Sequence, residues 1–389
     1  MLCPSNPARW LTRLVLPAWL IWPLLTACQP AAAPDPAEPN AVASEPAAAG
    51  GTEAVAVPDP EADPEADPEA PTAEPFDPSA ADLVVYSGRS ENLVGPLIER
   101  FEKESGLDVA VRWGDTAELA ALLLEEGPVS RADLFFAQEP GALGAVEDLL
   151  APLPEAVLES VAPRFRDPAG RWVGTSGRAR VVVYNTESLT PADLPAGMEG
   201  FVDAHWTGRI GWAPANASFQ AMVTAMRKAW GEDRTRAWLE GIIANEPVEF
   251  DRNAPIVEAV GAGEIDVGFV NHYYLYRFLE EEGADFPARN HFLTDGGPGS
   301  LVLVAGIGIV ATGQHPDAAE KLAAFMLTTE AQRYFADETF EYPLIAGVAP
   351  AEIVDMPPLA DLHAIDLDAG DLVDIQGTLA LLRDVGALP

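Results

Sequence analysis

Gly268-Phe269-Val270-Asn271-His272-Tyr273-Tyr274 carries an apolar segment, Ile265 to Val270, directly into a helical one, Tyr274 to Glu282. Valine, isoleucine and phenylalanine over six positions read as a buried strand, and the apolar spacing beyond it reads as an amphipathic helix. Two adjacent tyrosines at that junction stand at the mouth of a sheet. Ligands of α/β sheets bind there, beyond the carboxyl ends of the strands. Spacing alone leaves two readings open: a pair of phenolic ligands, or aromatic packing of Tyr273, Tyr274 and Tyr276 along one helix.

The same alternation extends in both directions. Upstream, Leu83–Tyr86, Val109–Val111, Asp133–Ala137 and Arg180–Tyr184 read as strands. Helical spacing follows in Leu93, Val94, Leu97, Ile98 and Phe101, with Ser90 placed as an N-cap. Asp115 with Glu118 has the form of a capping box. Further on, residues 218–230, 234–243, 254–260, 316–327 and 330–335 read as helices, and 301–310 as a long apolar strand. Strands separated by helices predict parallel sheets covered on both faces.

The chain has 389 residues and a formal net charge of −38. At its start, Arg9 and Arg13 flank the apolar run Leu14 to Leu25, which is too short and too interrupted by proline for a membrane span. Leu25-Thr26-Ala27-Cys28 then resembles the lipobox of bacterial lipoproteins. That resemblance implies a signal peptide over 1–27, lipidation of Cys28, and export to a membrane surface facing the periplasm or exterior. Of the two cysteines, Cys3 would leave with the leader, so the exported domain would hold no disulfide. Residues 29–80 hold twelve acidic and no basic residues among Ala and Pro, with Asp59-Pro60-Glu61-Ala62 echoed at Asp67-Pro68-Glu69-Ala70. Residues 28–80 are therefore expected to be the lipidated cysteine and a disordered acidic linker. Setting those acids and the two leader arginines aside leaves −28 on residues 81–389. Such a charge excludes nucleic acid and anionic lipid head groups as natural partners and is compatible with a cationic ligand.

Four stretches resemble the ferric-binding group of the ABC-importer solute-binding proteins: residues 85–89 (VYSGR), 132–138 (ADLFFAQ), 176–185 (SGRARVVVYN) and 268–274 (GFVNHYY). The resemblance spans nearly all of 82–350. It implies an α/β, two-lobed type II periplasmic binding protein fold with a ligand cleft between the lobes. The expected division is lobe 1 over 82–178 and 304–350, lobe 2 over 179–303, and C-terminal helices over 351–389. It implies ferric iron as the transported ligand, bound by Tyr273 and Tyr274 as phenolates, with a synergistic anion such as phosphate or carbonate. Asn216, Ala217, Ser218, Asn253 and Asn271 match the anion-holding positions, and Arg178 would add charge there. ABC permease and ATPase subunits are the implied partners, and a monomer is expected.

Physical chemistry supports the tyrosine assignment, since ferric ion is hard and prefers anionic oxygen, and a bound cation stabilises phenolate. For Asn216, Ser218 and Asn253, helix capping stays open beside anion binding. The chain departs from one branch of the group in its first lobe. Ser90 and Gln138 stand where that branch has a histidine and a glutamate, while Glu91 and Glu139 lie one residue away. His272 should point away from the tyrosines by alternation. The competing functions are the same fold carrying an organic anion, a phosphonate or a polyamine, and, further off, an extracytoplasmic enzyme. Against the last stands the lack of a nucleophile elbow, a Walker loop or a dinucleotide fingerprint. Gly296-Gly297-Pro298-Gly299 reads as a turn between lobes.

Overall fold

The computed structural model describes residue 76 and residues 78–353 and 356–389. The expected leader over 1–27, the lipidation at Cys28 and most of the 28–80 spacer lie outside the described residues. The end of that spacer is part of the fold. Pro78–Ala80 makes one 3₁₀ turn, and the Phe76 ring meets Tyr86 edge-on at 6.2 Å.

The chain then runs β1 (Leu83–Ser87), α1 (Glu91–Ser105), β2 (Val109–Trp113), α2 (Thr116–Glu126), β3 (Leu134–Ala137), α3 (Pro140–Ala145), β4 (Leu150–Ala151), α4 (Glu155–Leu158) and the long β5 (Trp172–Asn185). Next come β6 (Ile210–Trp212), α5 (Ala217–Trp230), α6 (Glu232–Ala244), β7 (Val248–Glu249), α7 (Asn253–Gly261), β8 (Val267–Asn271), α8 (Tyr273–Glu282) and β9 (Ala288–His291). The last part is β10 (Val302–Val310), α9 (Pro316–Met326), α10 (Thr329–Asp337), β11 (Tyr342–Pro343) and α11 (Ile375–Asp384). Local chemistry explains several starts. The Asp115 carboxylate accepts from the amides of Ala117 and Glu118, which begins α2, although the reciprocal half of a capping box is not seen. Ser90 does hold the N-cap position of α1, without a side-chain capping bond.

The strands form two sheets with one member in common. The first has the order β2-β1-β3-β10-β5, and the second β5-β8-β6-β7. Within β5, Trp172 to Ala179 pair with β10, while Arg180 to Tyr184 pair with β8. The molecule is two-lobed, joined where β5 changes sheets and where Leu301 leads into β10; there the Arg180 amide donates to the Leu301 carbonyl at 2.8 Å. The expected all-parallel sheets are not found. β1 runs parallel to β2 and β3, but β10 is antiparallel to β3, and β5 to β8. A strand that crosses between lobes returns against its neighbours, and the sheets are mixed for that reason.

Alternation along β5 and β8 sorts side chains to two faces. Val182, Tyr184, Val267 and Phe269 join the core under α5, α6 and α11. Val181, Val183 and Val270 join the core under α7 and α8. Helices therefore cover both faces of the second sheet, as expected. Gly268 shows how closely α7 approaches: a Cβ there would lie 2.1 Å from Ile256 Cγ2. Beyond Pro350 the expected set of helices reduces to α11, preceded by the 3₁₀ turns Leu359–Asp361 and Ala369–Leu372. Asp and Pro recur too often in that segment for longer helices.

Asp133 binds the first sheet together. Its side chain has no exposed surface. Its carboxylate accepts from the amides of Val84 at 2.9 Å, Gln314 at 2.6 Å and His315 at 2.8 Å, and meets His315 Nδ1 at 2.9 Å. Asp133→Ala strips three backbone donors of their acceptor and should cost about 3 kcal/mol or more. Urea unfolding of the two proteins checks this, and an unchanged midpoint would refute it.

Candidate functional site

Three arginines with almost no exposed surface, Arg89, Arg178 and Arg180, mark the site. A buried guanidinium needs partners for its charge and donors, and each finds them differently. Arg89 follows β1; it donates to Gln138 Oε1 at 2.7 Å and pairs with Glu341 at 3.0 Å. Arg178, on β5, donates to the Gln138 carbonyl and pairs with Glu139 Oε1 at 2.9 Å. Arg180 lies two residues on, on the same face of the strand, but bonds within the other lobe. Its Nη1 donates to Ser218 Oγ at 2.9 Å, Asn271 Oδ1 at 3.2 Å and Asn253 Oδ1 at 3.3 Å.

Around Arg180, the expected anion-holding positions come together. Asn216 caps α5, and its Oδ1 accepts from the Ser218 amide at 3.0 Å and hydroxyl at 2.5 Å. Asn253 Nδ2 donates to the same oxygen at 3.2 Å. Asn271 faces Arg180 directly in the β5–β8 ladder, and its buried Nδ2 has no acceptor among the described residues. Ala217 opens α5, so its amide is among those a helix start leaves for a ligand. Asn216 is thus both a cap and a member of the cluster, and the two readings of that residue coexist.

Arg178 bonds Gln138 and Glu139. Arg180 is the arginine that bonds Ser218, Asn253 and Asn271, and sequence reading did not single it out. The one available signal was the i, i+2 spacing in Arg178-Ala179-Arg180, which puts both side chains on one face. Arg89 lay inside a quoted stretch without being singled out. Glu341 gave no sequence signal.

Burial pushes the Glu139 carboxyl up, against the pull of Arg178 and, further off, Arg89 and Arg180. Burial pushes Glu341 the same way, but the charges of Arg89 and Arg178 and the hydrogen bond from Arg89 outweigh it and hold its carboxyl below the usual range. Ser90 is half-buried beside Arg89, and Glu91 is exposed on the first turn of α1.

Tyr273 and Tyr274 occupy the first turn of α8. Both are buried, at 5% and 8% exposure, and their rings stack with centroids 4.3 Å apart and a 30° interplanar angle. The Arg277 guanidinium lies 5.3 Å above the Tyr273 ring. His272 is fully buried. Its Nδ1 accepts from the Ala179 amide at 3.1 Å, and its ring stacks on Tyr342 at 4.7 Å. Burial is the main reason its pKa is pushed down to about 4, so the ring is neutral and its Nδ1 is committed to the backbone. Burial also raises the Tyr342 phenol, with the neighbouring Tyr276 adding to it. Among the described residues there is no group of three or more His, Cys, Asp or Glu placed to hold a metal. Tyrosine oxygens lie outside that set, and the adjacent pair offers two. The remaining groups are guanidinium, amide and hydroxyl donors, which are able to hold an anion.

Comparison with known proteins agrees with the fold. A family described as bacterial extracellular solute-binding protein matches residues 129–371. The Fe(3+)-binding periplasmic protein of Serratia marcescens is 32% identical over 310 residues, covering 79% of this chain and 90% of that one. The iron-bound HitA of Pseudomonas aeruginosa superposes with a TM-score of 0.72 at 31% identity, over 78% of this chain and 99% of the other. The Trichodesmium protein solved with iron and citrate gives 0.70 at 26% identity, over 78% and 99%. The two-lobed α/β architecture and the family match lead to one conclusion: this chain belongs to the bacterial extracellular solute-binding proteins and has the type II periplasmic binding protein fold.

Proposed function

We propose that the protein captures ferric iron outside the cytoplasm and delivers it to an ABC permease and its ATPase. The observation that carries this reading is the stacked Tyr273–Tyr274 pair where β8 runs into α8, next to the donor cluster on Arg180. Adjacent phenolates supply two anionic oxygens to a hard cation, and the cation's own charge favours their deprotonation. The names of the Serratia and Pseudomonas relatives point the same way. The anion is a synergistic partner such as phosphate or carbonate, held by Arg180, Asn216, Ala217, Ser218, Asn253 and Asn271. The citrate of the Trichodesmium structure makes a small carboxylate a further candidate. Glu139, paired with Arg178, is a first-lobe carboxylate that could serve the metal where Ser90 and Gln138 do not.

Capture proceeds by closure of two lobes, 82–178 with 304–350 against 179–303, about the two crossings. Contacts made only when the lobes meet shift the population towards the closed form. Lipidation at Cys28 and an acidic spacer over 28–80 would tether a monomeric domain to the membrane; this part rests on sequence alone. The arginine-lined cleft also favours a second reading, a small organic anion bound without metal.

One titration separates the two. Adding ferric citrate to the purified protein should raise a broad visible charge-transfer band that saturates at one equivalent. Tyr273→Phe and Tyr274→Phe should each abolish or strongly weaken it. A protein that stays colourless throughout would leave the organic-anion reading in possession of the cleft.

The anion assignment has its own test. Arg180→Gln should weaken iron binding in phosphate or carbonate buffer by about tenfold to a hundredfold, as loss of a charged hydrogen-bond donor predicts. Calorimetric titration of folded Arg180→Gln showing parent-like affinity in the same buffer would remove Arg180 from the site.

A further inference from the structure

Two helices begin at the site, one from each lobe. α3 follows Gln138 and Glu139 immediately, and α5 follows Asn216. The C-terminal segment runs between them. On the α5 side its attachment is extensive. Thr378 meets Thr224 hydroxyl to hydroxyl at 2.7 Å with both buried. Arg227 donates to the Asp374 carbonyl at 3.0 Å and pairs with its carboxylate at 2.9 Å, and Lys228 pairs with Asp371 at 2.8 Å. Leu381 and Leu382 are buried in the core that also holds Phe219, Met222, Val223 and Met226. Where the lobes join, Ser300 donates to the His363 carbonyl at 2.7 Å.

On the α3 side the contact is of another kind. A Cβ on Gly144 would lie 2.7 Å from Val373 Cγ1, and one on Gly141 would lie 3.5 Å from the Leu372 carbonyl oxygen. The two glycines thus form a flat seat for Leu372 and Val373. Val373 keeps half its surface exposed, at 50%. Leu372 itself is buried with Ala221 and Ala225 of α5 and with Leu301 and Leu303. Leu303 stands opposite Arg178 in the β5–β10 ladder, hence on the arginine face of the sheet. A small cavity between Pro140, Phe165 and Leu372 leaves the seat incompletely packed.

We propose that residues 359–373 are a latch, fixed to the second lobe through α11 and seated on the first lobe by apolar contact, at the α3 glycines and through Leu359, which packs against the first-lobe core. Separation of the lobes moves α3 away from α5. The polar and buried attachment on α5 resists rupture, while the glycine seat has only van der Waals contact to lose. The latch therefore leaves α3 when the cleft opens and returns to Gly141 and Gly144 when it closes. Each closure gains the seat as well as the ligand contacts, so the latch sets how far the empty protein favours the closed form. The inference rests on lobe closure, as proposed above, and not on the identity of the ligand.

The test reads the ligand-free full chain first, which separates the latch from the iron assignment. Val373→Asp places a charge on the seat at a half-exposed position, and Gly144→Leu fills the seat from the other side. Both should enlarge the radius of gyration in small-angle scattering of the ligand-free protein, and release of bound ferric citrate to a competing chelator should be about fivefold faster. Thermal melts of Val373→Asp should stay close to those of the parent, because α11 remains anchored. If Gly144→Leu does not fold, Val373→Asp decides alone. Parent-like scattering from folded Val373→Asp would mean that the segment never leaves α3, and the latch would be overturned whatever the ligand proves to be.

Discussion

A guanidinium withdrawn from water must have its charge and donors met by the protein, and in this fold three such groups impose that condition together. Arg89 draws in Gln138 and Glu341, residues separated from it by 49 and 252 positions. Arg178 draws in Glu139, and Arg180 gathers Ser218, Asn253 and Asn271 from three different elements. Loops far apart in sequence are thereby fixed at one place. An unmet buried charge costs several kcal/mol, so the arrangement around each arginine leaves little freedom. The cleft's polar geometry follows from that requirement more than from the shape of the lobes.

The charge balance fits a metal held with an anion better than a bare cation. The acidic surface of residues 81–389 attracts positively charged solutes from a distance, yet the lining at the crossing is rich in arginine. An iron complex that brings its own anion satisfies both. Tyrosine would suit such a complex, because ferric ion is hard and prefers anionic oxygen. His272, neutral and bonded to the Ala179 amide, serves the strand crossing.

Periodicity carried much of the fold into view. The helices expected over 218–230, 254–260 and 274–282 begin one residue early, and the strands at Leu83 and Val109 begin where they were read. These elements have apolar repeats; Asn216 caps α5 with its side chain, while α7 and α8 start without a side-chain cap. Strand direction is not written in such repeats, and the antiparallel course of β5 and β10 could not be seen. β9, Ala-Arg-Asn-His, has no strand signature and forms because β5 offers a free edge. At the site, Asn216, Ser218, Asn253 and Asn271 were legible because a family pattern surrounds them. Arg180 was passed over in favour of Arg178, since nothing in a linear string says which of two arginines on one face bonds to which lobe. Glu341 pairs with Arg89 through tertiary structure alone.

The joint between the lobes has a mechanical character of its own. Two antiparallel strands cross side by side, tied at Ala179 with Val302 and at Arg180 with Leu301. Such a ribbon is a flexure. It is compliant when bent out of its plane, because every rung of the ladder survives, and stiff when sheared or stretched, because the rungs would break. The relative motion of the lobes is thereby confined close to a single angular coordinate. If the lobes close as proposed, a membrane receptor would meet a one-parameter family of shapes, and loaded and empty forms would differ in one angle.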